Sequence, residues 1–191
     1  MTHVNPPPAP LEATPGVLVH PAADRRLAVE HWLLSAARDR KRARQEWAEQ
    51  GMALLSLGGI MSAVRLPGRL VLAAAGADEA PAADAFLAAA LGGGPVVCDP
   101  RSRVYYALVP GSMPRTRPDT AAACEHLEVE VLGRDHYLGV PRVDRTDPGP
   151  GGCASYWAVP MESMGVLCGP AAVARLIAAG RHALSGQGVQ Q

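Results

Sequence analysis

The densest run of residues with ligand chemistry is Cys124-x-His126 followed by Glu128-x-Glu130. A thiol, an imidazole and two carboxylates could hold a divalent cation. His136, Cys98, Cys153 and Cys168 are the other side chains that could complete such a set. Structural zinc asks for four well-placed donors. Zinc modules also present them as C-x₂₋₄-C or H-x₃₋₅-H pairs, and neither spacing occurs here. Glu128 and Glu130 fall on one face if residues 127–132 form a strand, which is also how the wet face of any half-buried strand reads. The expectation is therefore idle thiols, a solvated acid pair, and no metal or other cofactor.

Other chemistries find less. Nucleophilic catalysis lacks a Gly-x-Ser-x-Gly elbow and a recognisable catalytic cysteine context. His3, His20, His31, His126, His136 and His182 read as structural or exposed. Gly92-Gly93-Gly94-Pro95 leads out of a helix into a strand, whereas a phosphate cradle leads into a helix N-terminus.

Arginine is more suggestive. Lys41 is the only lysine, so nearly all of the positive charge is guanidinium. Arg101, Arg103, Arg115 and Arg117 lie between Pro100 and Pro118 with no acid among them, and Tyr105 and Tyr106 sit in their midst. Arginine for phosphates with an aromatic for bases is a reasonable single-strand surface. Arg38, Arg40, Lys41, Arg42 and Arg44 add a second basic run. Adjacent tyrosines on a strand point to opposite faces, so at least one is expected in the core. Trp32, Trp47, Tyr156 and Trp157 are candidate anchors for a protein partner, since aromatics dominate interface energetics. Trp32 and Trp47 could equally pin a long helix to a sheet.

The elements that must position these residues follow from pattern. Six prolines within residues 1–21 predict a loose arm, with a short edge strand near 17–20. Helical spacing predicts one long helix over 25–49, with a break near Arg38 and a stop at Gly51. Residues 52–57 read as a buried strand, 60–66 as a strand or short helix, and 68–75 and 82–91 as helices opened by Pro67 and Pro81. Residues 95–98 and 103–109 read as a hairpin across a four-residue turn. Further strands are expected at 127–132, 135–140 and 155–159, with an exposed Pro/Gly loop at 141–152. Pro170 opens a last helix over 171–184, striped by Val173, Leu176, Ile177 and Leu184. Helix, then strands, then helix argues for α+β with a mostly antiparallel sheet flanked by helices. The expected organisation is an arm at 1–21, one domain at 22–186 and a frayed tail at 187–191.

Composition agrees. The chain has 191 residues, 18 basic against 18 acidic, and 48% hydrophobic residues. That is too neutral to coat nucleic acid by bulk charge and too apolar for disorder. The N-terminus has neither a basic n-region nor an apolar h-region, and no apolar run reaches bilayer length. Reduced thiols in a cytoplasmic protein, away from membranes, are expected.

Several short motifs together resemble the N-terminal domain of bifunctional primase–polymerases of actinobacterial type. They are Ala63-Val64-Arg65-Leu66-Pro67, Gly94-Pro95-Val96 and Tyr105-Tyr106-Ala107-Leu108-Val109-Pro110. Leu132-Gly133-Arg134-Asp135-x-Tyr137-Leu138-Gly139-Val140-Pro141 and Tyr156-Trp157-Ala158-Val159-Pro160 continue them. The resemblance spans residues 50–160. Primases of that kind hold two metal ions with an Asp-x-Asp pair on a strand. Here the matching strand carries Arg65 and no such pair. The resemblance thus implies a degenerate, non-catalytic relative that binds single-stranded or duplex DNA, or a replication or regulatory protein. A protein-assembly module built on the aromatics, and a small metal-dependent hydrolase using Cys124, His126, Glu128 and Glu130, are the alternatives.

Overall fold

The computed structural model describes residues 11–14, 17–19, 21–113 and 127–187. Arg115, Arg117, Cys124, His126, His3 and His20 lie outside them.

The chain winds through β1 (Leu11–Thr14), β2 (Val17–Val19), α1 (Pro21–Leu34), α2 (Arg40–Gln50), β3 (Met52–Ser56), β4 (Met61–Pro67), α3 (Gly68–Ala75), α4 (Ala80–Ala90), β5 (Val96–Asp99), β6 (Val104–Pro110), β7 (Glu130–Leu132), β8 (Tyr137–Pro141), β9 (Tyr156–Val159) and α5 (Pro170–Gln187). The main sheet has the order β7-β4-β6-β5-β9, with every neighbouring pair antiparallel. β4 and β5 both run against β6, so they are parallel to each other, and α3 and α4 form the crossover between them. β3 pairs with β8 as a separate antiparallel ribbon, and β1 with β2 as another. This is the α+β class expected from the order of elements.

Both faces of the main sheet are covered, which is why β4 reads as an almost unbroken apolar run. On one face Val64, Leu66, Val96, Ala107 and Val109 meet α3, α4 and α5 through Leu70, Val71, Leu87, Val173 and Leu176. On the other, Met61, Ala63, Val97, Leu108 and Trp157 meet the β3–β8 ribbon and α1–α2 through Leu55, Val140, Leu33 and Trp47. The stripe expected on the last helix is real: Val173, Leu176 and Ile177 are buried and Leu184 packs beside them.

The long helix is two helices. Asp39 interrupts it in extended conformation and caps α2, its carboxylate accepting from the backbone N–H of Lys41 at 2.9 Å and Arg42 at 3.0 Å. The break falls where it is expected, one residue past Arg38. α2 ends at Gly51, whose φ of 71° suits the left-handed cap. The following strand is held from outside as well: Leu54 donates its N–H to Glu46 Oε2 at 3.1 Å, and Ser56 to the carbonyl of Ala36 at 3.1 Å.

Other elements differ by small margins. Strand β7 begins only at Glu130, because Glu128 adopts a left-handed φ of 59° in a turn. The stretch that reads as strand or short helix is strand, over Met61–Pro67. The expected arm contains the β1–β2 ribbon, and α5 reaches Gln187.

Asp39→Ala is expected to lower stability by about 1 kcal/mol, read as an earlier urea midpoint with an unchanged m-value. An unchanged midpoint would mean that packing alone holds the α1–α2 corner.

Candidate functional site

Register across three strands builds the most polar part of the interior. Cys98 on β5 lies opposite Tyr105 on β6 and opposite Tyr156 on β9. Their side chains therefore stand in one row on the helix-covered face, and all three are buried. Asp84 of α4 meets the row: the Tyr156 hydroxyl donates to its Oδ2 at 2.8 Å. Its Oδ1 is the one buried side-chain oxygen without a hydrogen-bond partner among the described residues.

Burial sets the proton chemistry of this row. It raises the Asp84 carboxyl, and the tyrosine hydroxyls of 156 and 105 only partly offset it. It pushes the Cys98 thiol up to about 11, and both tyrosines well above their ordinary value. The Cys98 thiol thus keeps its proton and is a poor nucleophile as it stands. Cys168, equally buried, is raised to about 12, and its Sγ donates to the Pro95 carbonyl at 3.4 Å.

Two clefts open at this end of the sheet. The first, of about 530 Å³, has Cys98, Tyr105 and Tyr156 in its lining, together with Leu72 and the exposed Arg69 and Arg103. The second, of about 520 Å³, is lined by Arg101, Arg142, Arg145, Asp144, Asp147 and the 147–154 loop. Pro148 belongs to both. The β5–β6 turn thus sends Arg101 to one cleft and Arg103 to the other. Asp99 fixes that turn by accepting from the N–H of Arg101 at 3.1 Å and of Ser102 at 3.4 Å. Arg103 itself sits at a left-handed φ of 53°, a strained choice for a side chain of its size. Its carbonyl accepts from the Gly68 N–H at 2.8 Å. A Cβ at position 68 would stand 2.9 Å from that oxygen, so glycine is what permits the approach.

The basic residues here are not equivalent. Arg69 is paired with Glu128 at 3.0 Å and Arg142 with Asp144 at 2.6 Å. Among the described residues no ion pair engages Arg101, Arg103 or Arg145. The Arg145 guanidinium lies over Gly51 at the C-terminal end of α2.

The sequence candidates do not form one surface. Arg101 and Arg103 are exposed, Tyr105 is buried against α4, and Tyr106 is half-buried in the opposite core. The Tyr105 side chain therefore faces the helix layer, where it borders the first cleft. Trp47 and Trp157 are core residues whose indole N–H groups donate to the carbonyls of Val140 at 2.9 Å and Pro141 at 3.2 Å. Tyr156 belongs to the other core, and half-buried Trp32 packs beside Gly165. Glu128 is occupied by Arg69, and Glu130 lies opposite Arg65. Among the described residues no three His, Cys, Asp or Glu side chains are grouped as a metal site. No helix there is long and apolar enough to cross a membrane. Sequence reasoning missed Asp84, Arg69 and Arg145. Asp84 is an isolated acid in an alanine-rich helix, and its partner is remote in sequence.

Compared with protein-family models, curated proteins and solved structures, the chain matches none.

A raised carboxyl pKa has a definite sign in stability. The folded state holds its proton to higher pH than the unfolded chain, so Asp84 favours folding in acid. That contribution is lost as pH rises from the ordinary carboxylate range through the raised value. Asp84→Asn keeps the shape and an acceptor for Tyr156 but cannot ionise. Its stability relative to the parent should increase over that window and level off above it, in urea titrations at stepped pH. A difference that stays flat would refute a shifted Asp84.

Proposed function

We propose that this chain is a non-catalytic recognition module for nucleic acid, and that the strand lies across the end of the sheet where the β5–β6 turn meets the 142–154 segment. The observation that carries this is the trio Arg101, Arg103 and Arg145, which line two adjoining clefts with no carboxylate engaged to them among the described residues. Guanidinium groups not held in an ion pair among the described residues suit phosphate oxygens, which accept their N–H groups in bidentate fashion. The buried tyrosines have no part in it. Recognition rests on the phosphate backbone, so little sequence preference is expected.

The lineage we propose is a primase–polymerase-like domain without the metal-binding acids. What supports it is the set of short motifs already named, together with Arg65 on β4 where that resemblance would ask for an acid pair. The basic run that opens α2 belongs to a different region. Arg145 lies at the Gly51 end of α2, so the helix length of about 16 Å separates the two.

Fluorescence anisotropy with labelled single-stranded and duplex oligonucleotides, titrated at several salt concentrations, tests the proposal. Binding should weaken steeply with salt. Arg101→Ala with Arg103→Ala should cost at least about tenfold at low salt and flatten the salt slope by one to two ions, at about 0.7–0.9 per phosphate contact. Absence of binding at low salt, or an unchanged affinity in the double variant, would overturn it.

A further inference from the structure

The cleft over Tyr105, Cys98 and Tyr156 has a chemistry that phosphate-backbone contact leaves unused. Its size, about 530 Å³, lies in the range of pockets that enclose a small organic molecule. Its walls are largely carbon. Leu72 of α3 stands on one side, Pro148 of the 142–154 segment on another, and the two buried tyrosines form the floor. Charge is confined to the rim. Arg69 there is neutralised by Glu128, and Asp78 is the acid in the lining, which leaves Arg103 as the rim guanidinium without an ion pair among the described residues.

Arg103 also has a backbone fixed by its neighbours, its N–H donating to the Pro100 carbonyl and its carbonyl accepting from Gly68. Its left-handed φ, the Gly68 N–H on its carbonyl and the Asx turn at Asp99 fix where its side chain departs from the chain. Backbone strain kept in place by neighbouring structure is a recurring mark of a functional position. A preset guanidinium at the mouth of an apolar cleft suits a ligand that is carbon-rich at one end and anionic at the other.

We infer that this cleft is a binding site for a small organic anion: an apolar ring system bearing one carboxylate or phosphate, with the ring over Tyr105 and Tyr156 and the anionic group on Arg103. The site does not require the nucleic-acid surface to be real. It shares Arg103 with that surface, but Leu72 belongs to the cleft alone and Arg101 to the neighbouring one.

The probe is 8-anilinonaphthalene-1-sulfonate, which combines ring and anion and fluoresces when its ring leaves water. The folded full chain should give a saturable signal that 1-naphthoate or 1-naphthyl phosphate displaces. The neutral 1-naphthol should do so at least about tenfold less well, the usual scale of a charge-assisted contact. Which of the two anions competes better assigns the headgroup. Arg103→Glu should weaken the probe at least about tenfold, Arg103→Lys should recover part of that, and Leu72→Glu should abolish the signal. Leu54→Ala, on the outer side of the β3–β8 ribbon, should change nothing. Because Leu72 also packs against the helix layer, thermal melts accompany each variant, and the Arg103 series stands alone if Leu72→Glu unfolds. Oligonucleotide affinity should survive Leu72→Glu and fall with Arg101→Ala, which separates the two sites. The inference is overturned if no saturable signal appears, if naphthol competes as well as naphthoate, or if Arg103→Glu leaves probe affinity unchanged.

Discussion

Alternation of side chains across β6, β5 and β9 decides what each half of the molecule contains. Tyr105, Cys98 and Tyr156 face the helix layer, and their neighbours Tyr106, Val97 and Trp157 face the ribbon layer. A slip of one residue in this pairing would exchange the two sets. It would carry two phenols and a thiol into the tryptophan core and strand Asp84 against aliphatic carbon. The irregularity between Val96 and Val97 in the β5–β9 pairing is absorbed without breaking the row, because Cys98 still meets Tyr156. The polar interior and the floor of the first cleft both descend from this one register.

The second half of the molecule is tied by a different device. Two tryptophans from distant segments, Trp47 on α2 and Trp157 on β9, donate their indole N–H groups to consecutive carbonyls, Val140 and Pro141. The end of β8 is thereby the point at which α2, the ribbon and the main sheet meet. A buried N–H left unbonded would cost about 1–3 kcal/mol, so each indole specifies the arrangement as well as filling it. The same end of α2 holds Gly51 beneath Arg145. A structural junction and a candidate anion-facing residue thus occupy adjoining ground.

How much of this could be read from the chain depended on punctuation. Pro67, Pro81 and Pro170 announced α3, α4 and α5, and Asp99-Pro100-Arg101-Ser102 announced the β5–β6 turn, because proline and aspartate act on the local backbone directly. The division between α1 and α2 carries no glycine or proline, yet the spacing placed it near Arg38; what it did not name was the device, the Asp39 carboxylate that caps α2. Glu128 spoiled a strand pattern because an acid in left-handed conformation leaves no trace in alternation. The site was the least legible part. Arg101 and Arg103 were visible as an acid-free run, but Arg69, Arg145 and Asp84 enter by tertiary placement alone, and Asp84 meets a tyrosine 72 positions away.

One small contact has a reach beyond its size. The outward flank of β3 would offer two unpaired amide donors at Leu54 and Ser56 to any extended peptide, next to the exposed side chains of Met52 and Leu54. Glu46 and the Ala36 carbonyl occupy those donors instead, and the bond from Leu54 is the main reason the Glu46 carboxyl ionises more readily than usual. A greasy strand can therefore lie open to water without serving as a template for fibril-like stacking. The safeguard is half side chain and half main chain, so the Ala36 carbonyl keeps Ser56 occupied even where Glu46 lets go of Leu54.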